Sequence, residues 1–119
     1  MNPYQQYKQQ SVTTMSPLQM LIALYDKAEQ ETNKAIYYIE NNDIEKAGKS
    51  ILKVQDIVAT LDSSLKMKYE VAENLASLYE FFMDQLIKAN VTKDTEILRQ
   101  LIPFFADLKD AFTQISRKG

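Results

Sequence analysis

The sequence predicts an all-α fold: an antiparallel, up-down-up-down four-helix bundle preceded by an N-terminal arm. Apolar residues recur at steps of three and four in four successive segments, the period that lines side chains along one stripe of a helix. No segment shows the alternation of a half-buried strand. Short polar stretches separate the four segments, and short connections between long helices favour antiparallel neighbours. Residues 1–15 read as the arm and 16–119 as the bundle, with helices over about 17–40, 43–65, 70–89 and 93–116.

The first helix should start at Ser16-Pro17. Serine is a good N-cap, proline fits the first helical position, and Gln19 stands where a capping box needs Glu or Gln. Its seam is Leu18, Leu21, Ile22, Tyr25, Ala28, Ala35, Ile36 and Ile39, and the polar stretch Glu40 to Asp43 breaks it. The second helix restarts with Asn42 or Asp43 as N-cap, Asn42 and Glu45 having capping-box spacing. Its seam, Ile44, Ala47, Ile51, Val54, Val58, Leu61 and Leu65, follows the alternating register of a bundle helix. Lys66 to Glu70 should hold the next turn. The third helix carries Ala72, Leu75, Tyr79, Phe82 and Leu86 and should end near Asn90. The fourth begins around Thr92 to Asp94 and packs Leu98, Leu101, Phe105, Leu108, Phe112 and Ile115. Pro103 falls inside it, where a missing donor and a clash with the preceding turn predict a bend.

Composition narrows the function classes. The 119 residues suit one domain with its own core, and 45% hydrophobic with 25% charged residues is ordinary for a globular chain. The net charge is −2 with no basic block, so nucleic acid is not an expected partner. No apolar run approaches the roughly 20 residues of a membrane span. The polar start lacks a signal-peptide pattern, which predicts a cytoplasmic protein without membrane insertion. There is no cysteine, no histidine, and only Gly48 and Gly119 among glycines. Thiol chemistry, the commonest general base and a phosphate-cradling loop are all missing, so neither an enzyme nor a cofactor is expected. Glu73 and Glu80 share a helix face, but diiron bundles combine glutamates with Glu-x-x-His pairs.

The helices carry more apolar residues than one seam each requires. At about 100° per residue, Met20, Tyr37 and Tyr38 lie away from the first seam. Leu52 lies nearly opposite the second seam, with Ile57 on its flank. Phe81 points away from the third, with Met83 and Ile87 on one shoulder, and Ile102 is displaced on the fourth. Single exposed apolar residues are normal. Together they read as grooves able to take another amphipathic segment, with methionine adapting to its shape. The alternative is a homo-oligomer built on the same surplus, without foreign cargo. The arm has three readings: a frayed end, a strap folded over a groove, or a tail presenting Tyr4 and Tyr7 to a second protein.

In order along the chain, several stretches resemble the flagellin export chaperones of the FliS family. These are YQQ followed by SV (Tyr4 to Val12), SPLQMLIALYDKA (Ser16 to Ala28) and NNDIEKAGKSILKVQDIVATLDSSL (Asn42 to Leu65). VAENLASLYEFF (Val71 to Phe82), LIKANVTKDTEIL (Leu86 to Leu98) and LKDAF (Leu108 to Phe112) complete the set. The chain departs from the family's usual pattern at Lys27, Phe112 and Pro103. The resemblance implies a bundle that binds the disordered C-terminal segment of flagellin, prevents premature polymerisation and aids delivery to the flagellar type III export gate. It points to Tyr4 and Tyr7 for contacts beyond the cargo groove, the gate component included. The expected partner contacts are Tyr4, Tyr7, Met20, Leu52, Ile57, Phe81, Met83, Ile87 and Ile102, with a weak homodimer as a further expectation.

Overall fold

The computed structural model describes residues 15–65 and 70–118. Four α-helices follow one another: α1 (Pro17–Glu40), α2 (Ile44–Ser63), α3 (Glu70–Thr92) and α4 (Thr95–Lys118), with no strand among the described residues. The arm residues 1–14 and the expected turn at 66–69 lie outside the described residues.

Local chemistry sets the helix ends. Ser16 and Gln19 form the capping box: the Gln19 N–H donates to Ser16 Oγ at 3.1 Å, and the Ser16 N–H donates to Gln19 Oε1 at 3.0 Å. At the other end, Asn42 adopts φ 61°. Its N–H donates to the Ile39 carbonyl, and the Asp43 N–H reaches back to Tyr38 at 2.8 Å. This is a Schellman closure with asparagine in the left-handed position. The expected Asn42–Glu45 capping box is therefore not formed. Asp43 caps α2 instead, its Oδ1 accepting from the Lys46 N–H at 3.3 Å. α2 stops at Ser63, two residues before the expected end, and the Ser63 and Ser64 hydroxyls donate to the Thr60 and Leu61 carbonyls. α3 runs past the expected 89 to Thr92. Lys93 then turns the chain at φ 55°, and Asp94 Oδ1 accepts from the Glu96 N–H at 2.9 Å to start α4.

α1 is the centre of the assembly, packed along both α2 and α4; α3 lies against α2 and makes its thinnest seam with α4. The core joins Tyr25, Ala28 and Ile36 of α1 with Ile51, Val54, Val58 and Leu61 of α2. Tyr79, Phe82 and Leu86 of α3 and Leu98, Leu101 and Phe105 of α4 complete it. Each large apolar side chain so buried contributes about 1.5–3 kcal/mol. The Tyr25 ring stacks on Phe112, 5.6 Å between centroids and 12° between planes. Polar ties hold α4 to α1: Lys109 Nζ lies 3.1 Å from Asp26 and 3.0 Å from Glu29, and Arg99 reaches Glu40 at 3.0 Å.

Two seam assignments change. Ile44 and Ile115 have the right phase but are 48% and 54% exposed, because each sits in the terminal turns of its helix. The gap between Ala28 and Ala35 in the first seam is filled by buried Glu31 and Thr32. Thr32 returns its hydroxyl to the Ala28 carbonyl at 2.7 Å. Glu31 Oε1 is paired with Lys27 at 3.3 Å and Lys34 at 3.5 Å. Burial pushes the Glu31 carboxyl up, but the Lys27 hydrogen bond and the charges of Lys34, Lys53 and Lys27 together hold it below its ordinary value. α4 continues unbroken through Pro103. Proline removes the donor to the Arg99 carbonyl, and both residues lie on the exposed side of the helix, where the cost of the lost bond is smallest.

Candidate functional site

α2 and α3 do not interdigitate along their outer edge, and a shallow groove runs between them. Leu52, Gln55, Ala59 and Asp62 stand at steps of three and four on α2, facing Ala76, Glu80, Met83, Ile87 and Val91 on α3. One section, of about 400 Å³, lies over Val58, Ala59, Asp62, Ala76, Tyr79, Glu80 and Met83. The other, of about 270 Å³, is lined by Leu52, Gln55, Ile87, Asn90 and Val91. Leu52 is 52%, Ile87 49% and Val91 80% exposed, so this wall is oily and open to solvent.

Gln55 and Met83 meet between the two sections, the Gln55 amide nitrogen donating to Met83 Sδ at 3.8 Å. The other amide atom, Oε1, is buried with no hydrogen-bond partner. At the far end α2 comes close to α3 through Gly48: a methyl group there would meet Asn90 Oδ1 at 3.5 Å and Lys93 Nζ at 3.8 Å. Lys93 Nζ donates to the carbonyl and, at 2.8 Å, to the side-chain oxygen of Asn90, closing that end with polar groups.

The remaining residues singled out in the sequence are dispersed. Leu52, Met83 and Ile87 share the groove. Phe81 is on a different face of α3, edge-to-face with Phe104 of α4 at 5.8 Å, and both rings are partly exposed. Met20 stands exposed on α1. Ile57 and Ile102 are not free surface: both are half-buried and packed against the core. α1 has a neighbour on either side, so α2 and α4 each need a wider apolar face than one stripe. Ile57 lies one turn after Lys53, whose charge acts on Glu31 of α1, and Ile102 two turns before Lys109, which pairs with Asp26 and Glu29, so both stand beside α1. Tyr4 and Tyr7 lie outside the described residues. Val91, Phe104, Gln55, Ala59 and Ala76 are additional to the residues expected from the sequence. Val91 and Phe104 carried a signal, being bulky and off-seam; the small residues and the glutamine did not.

Beneath the groove two polar groups of the core are paired: Tyr25 and Tyr79 are buried, and their hydroxyls bond to each other. Burial pushes the Tyr25 hydroxyl well above its ordinary range, with the hydrogen bond and charge of Tyr79 adding to it. Burial likewise raises Tyr79, against the Tyr25 hydrogen bond and with Asp62 adding. Among the described residues no three acidic, histidine or cysteine side chains gather to hold a metal. No helix among them is long and apolar enough to cross a membrane.

A helical bundle with a long, shallow groove of mixed apolar and polar lining is the form of module that takes up another helical or extended segment. The family model described as "Flagellar protein FliS" matches residues 1–119, and the chain belongs to that family. It is 30% identical over 113 residues to the flagellar secretion chaperone FliS of Bacillus subtilis, covering 95% of this chain and 85% of the relative. The flagellar secretion chaperone FliS of Salmonella typhimurium is 27% identical over 115 residues, with 92% and 83% covered. A solved structure described as a flagellar chaperone from bacteria superposes with a TM-score of 0.83 at 19% identity, covering 98% of this chain and 96% of its own, and so shares the fold. The chain is thus a flagellar export chaperone and not an enzyme.

Proposed function

We propose that the groove between α2 and α3 receives the C-terminal segment of newly made flagellin in the cytoplasm. There it would keep the segment from polymerising early and aid its delivery to the flagellar type III export gate. The supporting observation is the open apolar wall of Leu52, Ile87 and Val91, continued past Met83 to Ala59 and Ala76, in a member of a secretion-chaperone family. A segment that orders on binding loses about 2–5 kcal/mol or more of its gross interaction. At about 25 cal/mol per Å², a contact of ~1,000 Å² of apolar surface gives ~25 kcal/mol before association and ordering costs. A contact of that size requires an extended surface along helices and not a closed pocket. With no energy-coupling site expected from the sequence, the cargo is held and released by competition.

Titration calorimetry of a synthetic flagellin C-terminal segment into the full chain tests this reading. One-to-one binding with a gain of helix by circular dichroism is expected; absence of heat and of added helix would reject it. Tyr4 and Tyr7 are proposed to contact the gate component. Replacing both with alanine should leave cargo affinity and melting temperature unchanged and weaken gate binding. Weak self-association is the second reading, supported by the exposed Phe81–Phe104 pair. Light scattering at several concentrations, with and without the segment, distinguishes the two.

A further inference from the structure

Asp62 and Glu80 border one section of the groove and Asn90 the other, and between the two sections Gln55 reaches across from α2 to Met83 on α3. One end of that amide is spent on a thioether, a weak acceptor. The other, Oε1, has no solvent access and no partner. Turning the amide over exchanges the two atoms and leaves the nitrogen without a good acceptor instead. In either orientation a strong polar group at the floor of a binding groove goes unsatisfied, a costly arrangement that a bound side chain could relieve. A leucine or methionine at this position would continue the contact with Met83 without that cost.

We propose that Gln55 sets register and specificity for the bound segment, an inference that rests on the groove being the cargo site. The segment places an amide or hydroxyl side chain (Asn, Gln, Ser or Thr) over the Gln55–Met83 bar. Binding turns the Gln55 side chain out of its sealed position, and a side chain that both donates and accepts then satisfies the amide in either orientation. The apolar side chains in the sections on either side fix the neighbours of that residue. An apolar side chain on one helical turn enters the Leu52–Ile87–Val91 section, and one on the opposite turn enters the section over Ala59, Ala76 and Met83. A segment slid by one residue would put an apolar group over Gln55 and leave the amide sealed and unpaired. That is how a single buried polar residue selects register in helical assemblies.

The test is a double-mutant cycle on the full chain. Each Asn, Gln, Ser and Thr of the flagellin C-terminal segment is replaced in turn by alanine, and each peptide is titrated into wild type, Gln55→Leu and Gln55→Met. One polar position should lose about tenfold in affinity against wild type and less than about twofold against either variant. The side-chain amide resonances of Gln55 in wild type, assigned by their loss in Gln55→Met, should shift on binding the unaltered segment but not the peptide lacking that position. Two variants guard against one failing to fold, and the amide resonances require neither to bind. If the segment binds wild type but every substitution costs the same in all three chains, and the Gln55 resonances stay fixed, the register role is overturned and the cargo reading stands. If the segment does not bind wild type, both fall together.

Discussion

The Tyr25 and Tyr79 hydroxyls hydrogen-bond to each other across the bundle, joining α1 to α3, two helices whose backbones are not neighbours. Both rings are buried, Tyr25 completely, so each hydroxyl depends on the other. Tyr25→Phe leaves the Tyr79 hydroxyl sealed without a partner. Urea denaturation should show a loss of about 1–3 kcal/mol. The double variant Tyr25→Phe/Tyr79→Phe should lose less than the sum of the singles, because it removes both polar groups together.

Stability should fall at both extremes of pH. The Glu31 carboxyl lies below its ordinary value when folded, so its contribution is present above about pH 4.5 and is lost as pH falls through the lowered value. Tyr25, Tyr79 and Lys109 are raised, Lys109 by its hydrogen bonds to Glu29 and then Asp26. Their contributions are complete below about pH 10 and are lost above it. Unfolding free energies from pH 3 to 11 should form a plateau with two falling limbs. Glu31→Gln should flatten the acid limb and leave the alkaline one unchanged.

The turn at Asn42 rests on a left-handed backbone that β-branched residues avoid. Asn42→Gly should leave the melting temperature unchanged or raise it slightly. Asn42→Val should cost about 1–2 kcal/mol, the steric cost of the left-handed region. Lys93→Gly should gain less than its φ of 55° alone implies, because the links from Lys93 Nζ to Asn90 are lost with the side chain. Thermal melts of the three variants check the set.

Core and groove residues should separate cleanly. Phe105 is fully buried against Phe82, with ring centroids 5.0 Å apart, and Phe105→Ala should cost about 3–5 kcal/mol. Leu52→Glu, on an exposed side chain at the groove wall, should stay within about 0.5 kcal/mol of wild type. Chemical denaturation of both proteins tests the contrast.

The sequence made the bundle legible through particular residues. The spacing from Ala47 to Leu61 is regular enough to define one face of α2, and all five residues of that seam are buried. Ser16 with Gln19 is a start signal with a mechanism. Asn42 misleads because asparagine serves both as an N-cap and in the left-handed position, and only the path of the following turn decides. Glu31 occupies a core phase that polarity alone argued against; lysines four residues before and three after it supply the compensating charge. The candidate site was legible residue by residue but not as a whole. Phase places Leu52 and Ile87 off their seams, yet which off-seam residues share a groove depends on the order of helices around the bundle. With α1 between α2 and α4, Ile57 and Ile102 become packing while Leu52 and Ile87 remain open.

The most direct measurement is calorimetric titration of the flagellin C-terminal segment into wild type and Ile87→Glu, both shown to be folded by their melting curves. One-to-one binding to wild type with a negative heat-capacity change, the mark of apolar burial, is expected, and at least about tenfold weaker binding to Ile87→Glu, a loss of ~1.4 kcal/mol or more for a charge placed in an apolar contact. Equal affinity for the two proteins would contradict the groove between α2 and α3 as the cargo site.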